Sequence, residues 1–251
     1  MQPDAGHTLT PRNIEIRDNF DAIAKRYDLT NRIISCGVDL HWRRVAVKHL
    51  ASLPPGSVVL DLACGTCDMA RALLRRNDRL RVVGVDLSRS MLGLAARKLA
   101  GSGAGRSAAK GAGGDAVSLV NAPAEALPFQ DAAFEGAMIA FGIRNVPDLR
   151  VGLAQMHRVL RPGGRVVILE FSTPPSRLLW RAYNYYFFHV LPRVGGLITG
   201  RERAYRYLTR SVSEFPAAAE FARAMEEAGF RSVSWRALNA GIVCVHTGVR
   251  G

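Results

Sequence analysis

The residues DLACGTCD, at positions 61–68, decide the fold that this sequence predicts. They end a short apolar run, SVVLDLA, which lies between turn residues and is typical of a buried parallel strand. A helical pattern begins at Asp68, so the loop lies at a helix N-terminus, where backbone N–H groups have no partner within the helix. Small residues at Ala63 and Gly65 would let a ligand approach the backbone closely. The segment therefore predicts a ligand site at the carboxyl end of the strand.

The next strands indicate what the ligand is. Asp86 ends the second apolar run, RVVGVDL, where an acidic side chain can accept hydrogen bonds from both hydroxyls of a ribose. A dinucleotide needs the glycine pattern G-x-G-x-x-G, but the corresponding residues are Ala63, Gly65 and Asp68. S-adenosylmethionine carries no phosphate and tolerates such a loop, and Asn121 at the end of the third strand could reach an adenine edge. We predict a nucleoside cofactor; the alternative is a packed turn with an incidental aspartate.

Cys64 and Cys67 stand in the same loop with the spacing Cys-x-x-Cys, which allows two other interpretations. Between a strand and a helix N-terminus, this is the geometry of thioredoxin-like redox sites, because the helix end lowers the thiol pKa. A zinc site would need a second pair of ligands, for which the sequence offers no candidate. We interpret the two cysteines as small side chains that fill a tight turn, and we expect no metal.

Strands and helices alternate along the rest of the chain. The later runs of strand length are AVSLVNA, FEGAMIAF and GGRVVILEF, with helical patterns between strands, as in a doubly wound parallel sheet. The last two runs, RSVSWRAL and GIVCVHTG, are joined by a short turn and must pair antiparallel. A dinucleotide-binding sheet stays parallel. A terminal antiparallel hairpin instead predicts the α/β, Rossmann-like sheet of a class I S-adenosylmethionine-dependent methyltransferase.

The chain of 251 residues and 27.3 kDa suits one large α/β domain. Residues 1–13 predict a flexible tail and residues 14–251 a single domain, in which residues 14–50 form a helical cap. Residues 101–114 are rich in Gly, Ala and Ser and predict a surface loop. Residues 172–214 mix aromatic and basic side chains, which suits an active-site lid, an interfacial membrane element or a nucleic-acid surface. We favour the lid, with membrane contact as a secondary role.

The net charge of +13 predicts attraction to nucleic acid, an acidic lipid surface or an anionic ligand, although a basic solvated surface is also compatible with it. No apolar run is long enough for a membrane span, and the N-terminus lacks the apolar core of a signal peptide. The four cysteines are too scattered for a disulfide framework. We therefore expect a cytoplasmic protein that can make peripheral contact with the inner face of the membrane.

The segment FGIRNVPD, at positions 141–148, follows the fourth strand. Arg144 and Asn145 should therefore lie at the carboxyl edge of the sheet, where such folds bind ligands, and both could face a substrate. In the alternative interpretation, Arg144 pairs with a surface acid and Asn145 caps the following helix.

Several further stretches resemble one known family in order, from about Phe20 to the C-terminus. They are YDLTNRIISCGVDLHWRR, LDLACGTCDM, NAPAEALPF, FGIRNV, RVLRPGGR, LEFS, FHVLPRVG and YRYL. Together they resemble the ubiquinone/menaquinone biosynthesis C-methyltransferase family, which includes demethylmenaquinone methyltransferases. The family commonly has glycine at the position of Cys67 and serine at that of Ala140, so the fine detail of cofactor binding differs here.

The resemblance implies methyl transfer from S-adenosyl-L-methionine to a ring carbon of a demethylated polyprenyl quinol. We expect the conversion of demethylmenaquinol to menaquinol; the alternative is the benzoquinol step of ubiquinone biosynthesis, or both. By the same resemblance Thr66, Asp86 and the pair Asn121-Ala122 would bind the cofactor, together with the loop residues already named. Arg144 would act on the quinol.

The expected chemistry depends on alignment, because the sulfonium methyl is already electrophilic. A ring carbon beside a hydroxyl becomes a good nucleophile as that hydroxyl loses its proton. We hypothesise that Arg144 stabilises the developing phenolate, since a fixed cation is most useful where charge develops, and a guanidinium is not a base. Tyr27, Asn145 and Tyr183 are expected to contact the ring and its prenyl chain.

Two other functions are compatible with parts of the sequence. An RNA methyltransferase would suit the basic charge, but it would carry a motif such as NPPY where this chain has FGIRN, and we expect no nucleic-acid partner. A non-enzymatic scaffold on a membrane surface would keep the fold without binding the cofactor. The expected partners are the quinol, a membrane surface and further copies of this chain in a homo-oligomer.

Overall fold

The computed structural model describes residues 9–35, 37–102, 116–174, 181, 184–186, 189, 193 and 202–251, with only the backbone of residues 25, 34, 102 and 202–206. From the predicted surface loop 101–114, residues 103–114 lie outside the described residues, as does much of the predicted lid 172–214. The described residues form one seven-stranded sheet with helices on both faces.

The strand order in the sheet is β3-β2-β1-β4-β5-β7-β6. The strands are β1 Val58–Leu62, β2 Arg81–Asp86, β3 Val117–Asn121, β4 Phe134–Ala140, β5 Leu160–Phe171, β6 Phe230–Leu238 and β7 Val243–Arg250. β1 to β5 run parallel, and β7 pairs antiparallel with both β5 and β6. The predicted parallel sheet with a terminal antiparallel hairpin is confirmed.

The strand order reverses at β1, with β2 on one side and β4 on the other. The connection after β1 runs to one side of the sheet and the connection after β4 runs to the other side. A crevice therefore opens between them at the carboxyl ends of these two strands. The loop after β1 and the segment after β4 both lie at this crevice. These are the two stretches that the sequence marked as ligand-binding.

The helices are α1 Pro11–Ile23, α2 Tyr27–Ile34, α3 Val38–Ala46, α4 Asp68–Leu74, α5 Arg89–Ser102, α6 Leu149–Val159, α7 Glu202–Ser213 and α8 Ala218–Glu227. The predicted tail of residues 1–13 is too long, because α1 begins at Pro11. The Thr10 hydroxyl accepts a hydrogen bond from the Asn13 N–H, so a capping residue followed by proline starts the helix. Three helices thus precede β1.

The hydrophobic core has one layer on each face of the sheet. Neighbouring residues of a strand point to opposite faces, so Val59 packs with Trp42 and Leu73 on one side while Leu60 packs with Phe221 on the other. Each fully buried large apolar side chain contributes about 1.5–3 kcal/mol. The two layers fix the central strands, so the loops at their carboxyl ends start from rigid positions.

Asp61 is a buried carboxyl group in the middle of β1. One of its oxygens accepts a hydrogen bond from the Ala70 N–H at 3.1 Å, which ties α4 to the strand. Burial raises the pKa of Asp61 to about 8, whereas an unfolded chain would ionise this group at about its ordinary value of 3.8. Between these two values the folded protein holds a proton that the unfolded chain has released.

We therefore expect the Asp61 contribution to make the free energy of unfolding fall as pH rises from about 4 to about 8. Asp61→Asn keeps an oxygen for the Ala70 N–H and removes the titration, so it should flatten that slope and stabilise the protein at pH 8. Urea unfolding of both proteins across this range tests the expectation. Parallel pH profiles of the two proteins would contradict it.

Candidate active site

The loop between β1 and α4 has an uncommon backbone conformation. Ala63, Gly65 and Cys67 have φ values of 49°, 53° and 64°, in the left-handed region. Phe141, at the end of β4 on the facing side of the crevice, has φ 57°. Non-glycine residues are strained in this region, and such strain is concentrated at functional sites. The backbone itself therefore marks the crevice between these two segments as the candidate site.

Cys67 provides a test of this strain, because its side chain is fully buried while its backbone favours glycine. Replacing alanine with glycine ordinarily destabilises a protein by about 0.5–1 kcal/mol. At this position we expect Cys67→Gly to be as stable as Cys67→Ala, or up to about 1 kcal/mol more stable. Chemical unfolding measures the difference.

Cys244 supplies the matched control for that comparison. It is buried in the extended strand β7, so Cys244→Gly should be less stable than Cys244→Ala by the ordinary amount. A similar loss at both cysteines would mean that the left-handed conformation of Cys67 carries no strain.

Cys64 of the loop does not have the electrostatics of a redox nucleophile. A hydrogen bond with Cys67 and burial together raise the pKa of the Cys64 thiol well above its ordinary value. A reactive thiol of the thioredoxin type needs a lowered pKa instead. The interpretation of these residues as buried side chains that fill the turn is therefore favoured by the structure.

One cavity lies directly against this loop. Four of the predicted cofactor residues are among those that line it: Ala63, Gly65, Asp86 and Ala122. Gly142, after β4, closes the opposite wall, where a Cβ atom would lie only 2.6 Å from the Cβ of Ala63. Small residues are thus required on both sides of the crevice.

Asp86 presents its carboxylate to this cavity. One oxygen accepts a hydrogen bond from the Gly65 N–H at 2.8 Å, and the other accepts one from the Ser88 N–H at 2.8 Å. Burial nevertheless raises the pKa of Asp86 to about 6. The group is held in a fixed orientation, and each oxygen has further acceptor capacity for a ligand hydroxyl.

Thr66 and Asn121 are not among the described residues that line the cavity. The Thr66 hydroxyl donates to Asp28 of α2 at 2.7 Å and accepts a hydrogen bond from Lys98 at 3.1 Å. The Asn121 amide donates to the carbonyl oxygens of Asp86 and residue 87, both at 2.9 Å. In this structure both side chains hold the surrounding loops in place.

A second cavity, of about 300 Å³, adjoins the first. Trp42, Phe141 and Phe171 form an aromatic wall, with ring centroids 4.8–6.4 Å apart. Tyr27 and Phe141 line both cavities, so the two spaces meet at these rings. A ligand in the larger, apolar cavity would lie next to a ligand held by Asp86.

Arg144 borders the larger cavity and is almost fully buried. Its guanidinium donates to Glu170 and to the Phe141 carbonyl oxygen, both at 2.6 Å, and to the Ser211 hydroxyl at 3.3 Å. Its Cζ also lies 5.3 Å from the centroid of the Phe171 ring. The acid that it pairs with is therefore buried, and the alternative of a surface ion pair is wrong.

Glu170 is completely buried behind Arg144, and burial raises its pKa although the neighbouring arginine opposes that rise. The second carboxylate oxygen of Glu170 accepts a hydrogen bond from the Arg144 backbone N–H at 3.4 Å. Glu170 thus fixes Arg144 in one orientation at the edge of the cavity.

Asn145 and Tyr27 lie where the two cavities meet. The Asn145 amide donates to the Phe141 carbonyl oxygen at 3.4 Å and accepts a hydrogen bond from Tyr207 at 3.3 Å. It does not cap the next helix, since Asp148 accepts the N–H bonds at the start of α6. Burial raises the pKa of Tyr27. Tyr183, also predicted to contact substrate, lies outside the described residues.

Sequence reasoning missed several residues of the larger cavity, among them Arg43, Trp42 and Asn239. Trp42 donates from Nε1 to Asn239 at 2.7 Å, a contact between residues 197 positions apart. The spacing of Asp39, Trp42 and Arg43 on one face of α3 was a usable signal. No local pattern could have shown that this face covers the ends of β4 and β5.

Residues 9–250 match the ubiE/COQ5 methyltransferase family. The ubiquinone/menaquinone biosynthesis C-methyltransferase UbiE of Geobacter sulfurreducens is 47% identical, over 98% of this chain and 92% of that protein. The demethylmenaquinone methyltransferase of Thermus thermophilus is 44% identical, over 92% of this chain and 99% of that protein.

Solved structures show the same fold at low sequence identity. A SAM-dependent methyltransferase of Thermotoga maritima, described as a possible histamine N-methyltransferase, has a TM-score of 0.64 and 20% identity, over 94% of this chain and all of that one (100%). An N-methyltransferase of Haemonchus contortus, in complex with S-adenosylhomocysteine, has a TM-score of 0.62 and 14% identity, over 97% of this chain and 60% of that one. The predicted methyltransferase fold and family resemblance are both confirmed. The chain belongs to the ubiE/COQ5 methyltransferase family.

Proposed function

We propose that this methyltransferase transfers the methyl group of S-adenosyl-L-methionine to a ring carbon of a demethylated polyprenyl quinol. The observation that carries the proposal is the meeting of two cavities at Tyr27 and Phe141, one lined by Asp86 and the other by aromatic rings and Arg144. The names of the Geobacter sulfurreducens and Thermus thermophilus relatives support a quinone-type substrate. The expected reaction is demethylmenaquinol to menaquinol, with the benzoquinol step of ubiquinone biosynthesis as the second candidate.

The residues present fit a nucleoside cofactor. Asp86 would accept hydrogen bonds from the ribose hydroxyls, and Ala63, Gly65, Gly142 and Ala122 leave room beside the backbone. When bound, S-adenosylmethionine supplies an electrophilic methyl group. Thr66 and Asn121 would act on the cofactor by holding the loops that contact it.

The ring would lie in the larger cavity, with its reacting carbon toward the border with the cofactor cavity. Arg144, which lines the larger cavity, would act as a fixed cation for the phenolate that develops beside that carbon. Tyr27 and Asn145 line the border and would orient the ring. The apolar walls would exclude water, which strengthens the electrostatic effect of a nearby charge.

We also propose a cytoplasmic protein that meets the inner face of the membrane at helix α2. Tyr27 and Asn31 of this helix line the larger cavity, while Leu29 and Ile33 are 57% and 45% exposed. A substrate with a prenyl chain resides in lipid, and the net charge of +13 favours an anionic bilayer. In the described part of the chain, no helix is long and apolar enough to cross a membrane.

The ring class is tested by competition. The purified protein is incubated with methyl-labelled S-adenosylmethionine and equal amounts of a demethylated naphthoquinol and a demethylated benzoquinol, both prenylated and kept reduced. We expect the naphthoquinol to be labelled with the higher kcat/KM. The benzoquinol is expected to be labelled more slowly or not at all. Preference for the benzoquinol would reverse the choice of pathway, and labelling of neither ring would overturn the proposed function.

A further inference from the structure

Arg43 of α3 is a second buried cation on the wall of the larger cavity. Its side chain is 8% exposed, and its Cζ lies 5.2 Å from the centroid of the Phe141 ring. Nη1 donates to the Asp39 carboxylate at 2.8 Å and to the Asp39 carbonyl oxygen at 3.4 Å. Nε is buried and has no hydrogen-bond partner among the described residues.

Nη2 also makes no hydrogen bond among the described residues and, unlike Nε, it is not fully enclosed by protein atoms, so it can donate to a ligand that brings an acceptor. Nη1 is held by Asp39, and the guanidinium carbon lies over the ring of Phe141. Asp39 is in turn fixed by Arg32 and by the Ser35 hydroxyl. Arg43 is therefore preorganised, with the N–H groups of Nη2 left over.

Charge balance also distinguishes Arg43 from Arg144. Arg144 pairs one to one with Glu170, so that pair adds little net charge. Arg43 belongs to a larger network that joins α2 and α3 to α4 and α5. Among its described ion pairs, four cations face three carboxylates: Arg32, Arg43, Arg71 and Lys98 with Asp28, Asp39 and Asp68. The network that includes Arg43 therefore has one more cation than carboxylates, whereas the Arg144–Glu170 pair is balanced.

The two arginines stand on one aromatic wall. Arg43 lies over Phe141 and Arg144 over Phe171, and the two ring centroids are 4.8 Å apart. A quinol carries two hydroxyl groups on opposite sides of its ring. The cavity thus offers two separate cationic positions for a ligand with two separate oxygens.

We propose that Arg43 binds the second ring oxygen of the quinol through its unpaired Nη2 N–H groups, while Arg144 serves the oxygen beside the reacting carbon. This inference rests on the proposed function. Holding both oxygens would fix which ring carbon faces the cofactor, so Arg43 would determine both affinity for quinols and the position of methylation. A ring with a single hydroxyl would lose the Arg43 contact.

The test pairs a change in the protein with a change in the substrate. One substrate is a 2-prenyl-1,4-naphthoquinol; the other, 3-prenyl-1-naphthol, keeps the hydroxyl beside the reacting carbon and lacks the one across the ring. For the unaltered protein we expect loss of that hydroxyl to lower kcat/KM by about 10–100-fold, the range for a hydrogen bond to a charged group. The lower intrinsic reactivity of the naphthol is common to all variants and cancels in the comparison.

Arg43→Met is expected to lose a similar factor with the naphthoquinol and to show little further discrimination between the two substrates. Asp39 keeps Arg32 and Ser35 in this variant, so its carboxylate is not left unpaired. Arg43→Lys serves as a second variant that keeps the cation and lacks Nη2. Arg44→Met, at the exposed neighbouring position, is the matched control and should behave like the unaltered protein.

Calorimetry with S-adenosylmethionine identifies which variants are folded. If both Arg43 variants lose the same factor with both substrates, Arg43 has a structural role only and the inference is overturned while the proposed function stands. If the unaltered protein binds the cofactor and methylates neither ring, the proposed function fails and this inference fails with it.

Discussion

Arg144→Ala is expected to lower kcat for methyl transfer by about 10²–10³-fold, the usual cost of removing one group that stabilises developing charge. Affinity for S-adenosylmethionine should change by only a few-fold, because Arg144 borders the larger cavity and is not among the described residues that line the cofactor cavity. Single-turnover kinetics and calorimetry measure the two quantities separately. Unchanged turnover would remove Arg144 from the catalytic site, and a large loss of cofactor affinity alone would place it with the cofactor.

Stability complicates that variant, because Glu170 would lose its buried partner. Breaking a buried ion pair on one side typically costs about 3–5 kcal/mol. The double variant Arg144→Ala with Glu170→Gln removes both charges and should restore much of the stability without restoring turnover. Arg150→Ala, whose side chain is 86% exposed, controls for loss of an arginine as such. Recovery of turnover in the double variant would contradict the catalytic role.

Asp86→Asn is expected to weaken S-adenosylmethionine binding by about 100-fold or more, because it would remove the charged acceptor that we propose for the two ribose hydroxyls. The unaltered protein should also show a pH dependence. Since the pKa of Asp86 is raised to about 6, the carboxylate is protonated below that pH and cofactor affinity should fall as pH decreases. Above that pH the Asp86 contribution to affinity should be constant.

Calorimetry from about pH 5 to pH 8 measures both effects, and Asp86→Asn should lose this component of the pH dependence. Asp18→Asn is a suitable control, because its side chain is 60% exposed on α1. If cofactor affinity falls equally in Asp86→Asn and in the unaltered protein as pH decreases, another group titrates. The ribose contact of Asp86 would then have to be abandoned.

The strands of the sheet could be predicted from the sequence because each buried strand is a short apolar run between turn residues. Each of the seven apolar runs became a strand, and the short turn before Val243 forced the antiparallel hairpin. The start of α1 was missed although Thr10 and Pro11 form a recognisable capping signal. This signal places the start of α1 at Pro11, within the predicted tail of residues 1–13.

The site was harder to predict because a position in a loop does not fix the direction of its side chain. Thr66 and Asn121 lie in the expected loops, yet Thr66 contacts Asp28 and Asn121 contacts backbone carbonyls. Arg43 and Glu170 reach the site from α3 and β5, far from the motif after β1. Such contacts depend on tertiary packing, which local patterns do not encode.

The most direct test of the account is to locate the transferred methyl group in the product. S-adenosylmethionine with a carbon-13 methyl group is incubated with the protein and a reduced, prenylated, demethylated naphthoquinol, and the product is examined by NMR. The account predicts a labelled methyl group bonded to the ring carbon next to the prenyl-bearing carbon. A methyl group on a ring oxygen, or no label on the ring while the cofactor binds, would contradict it.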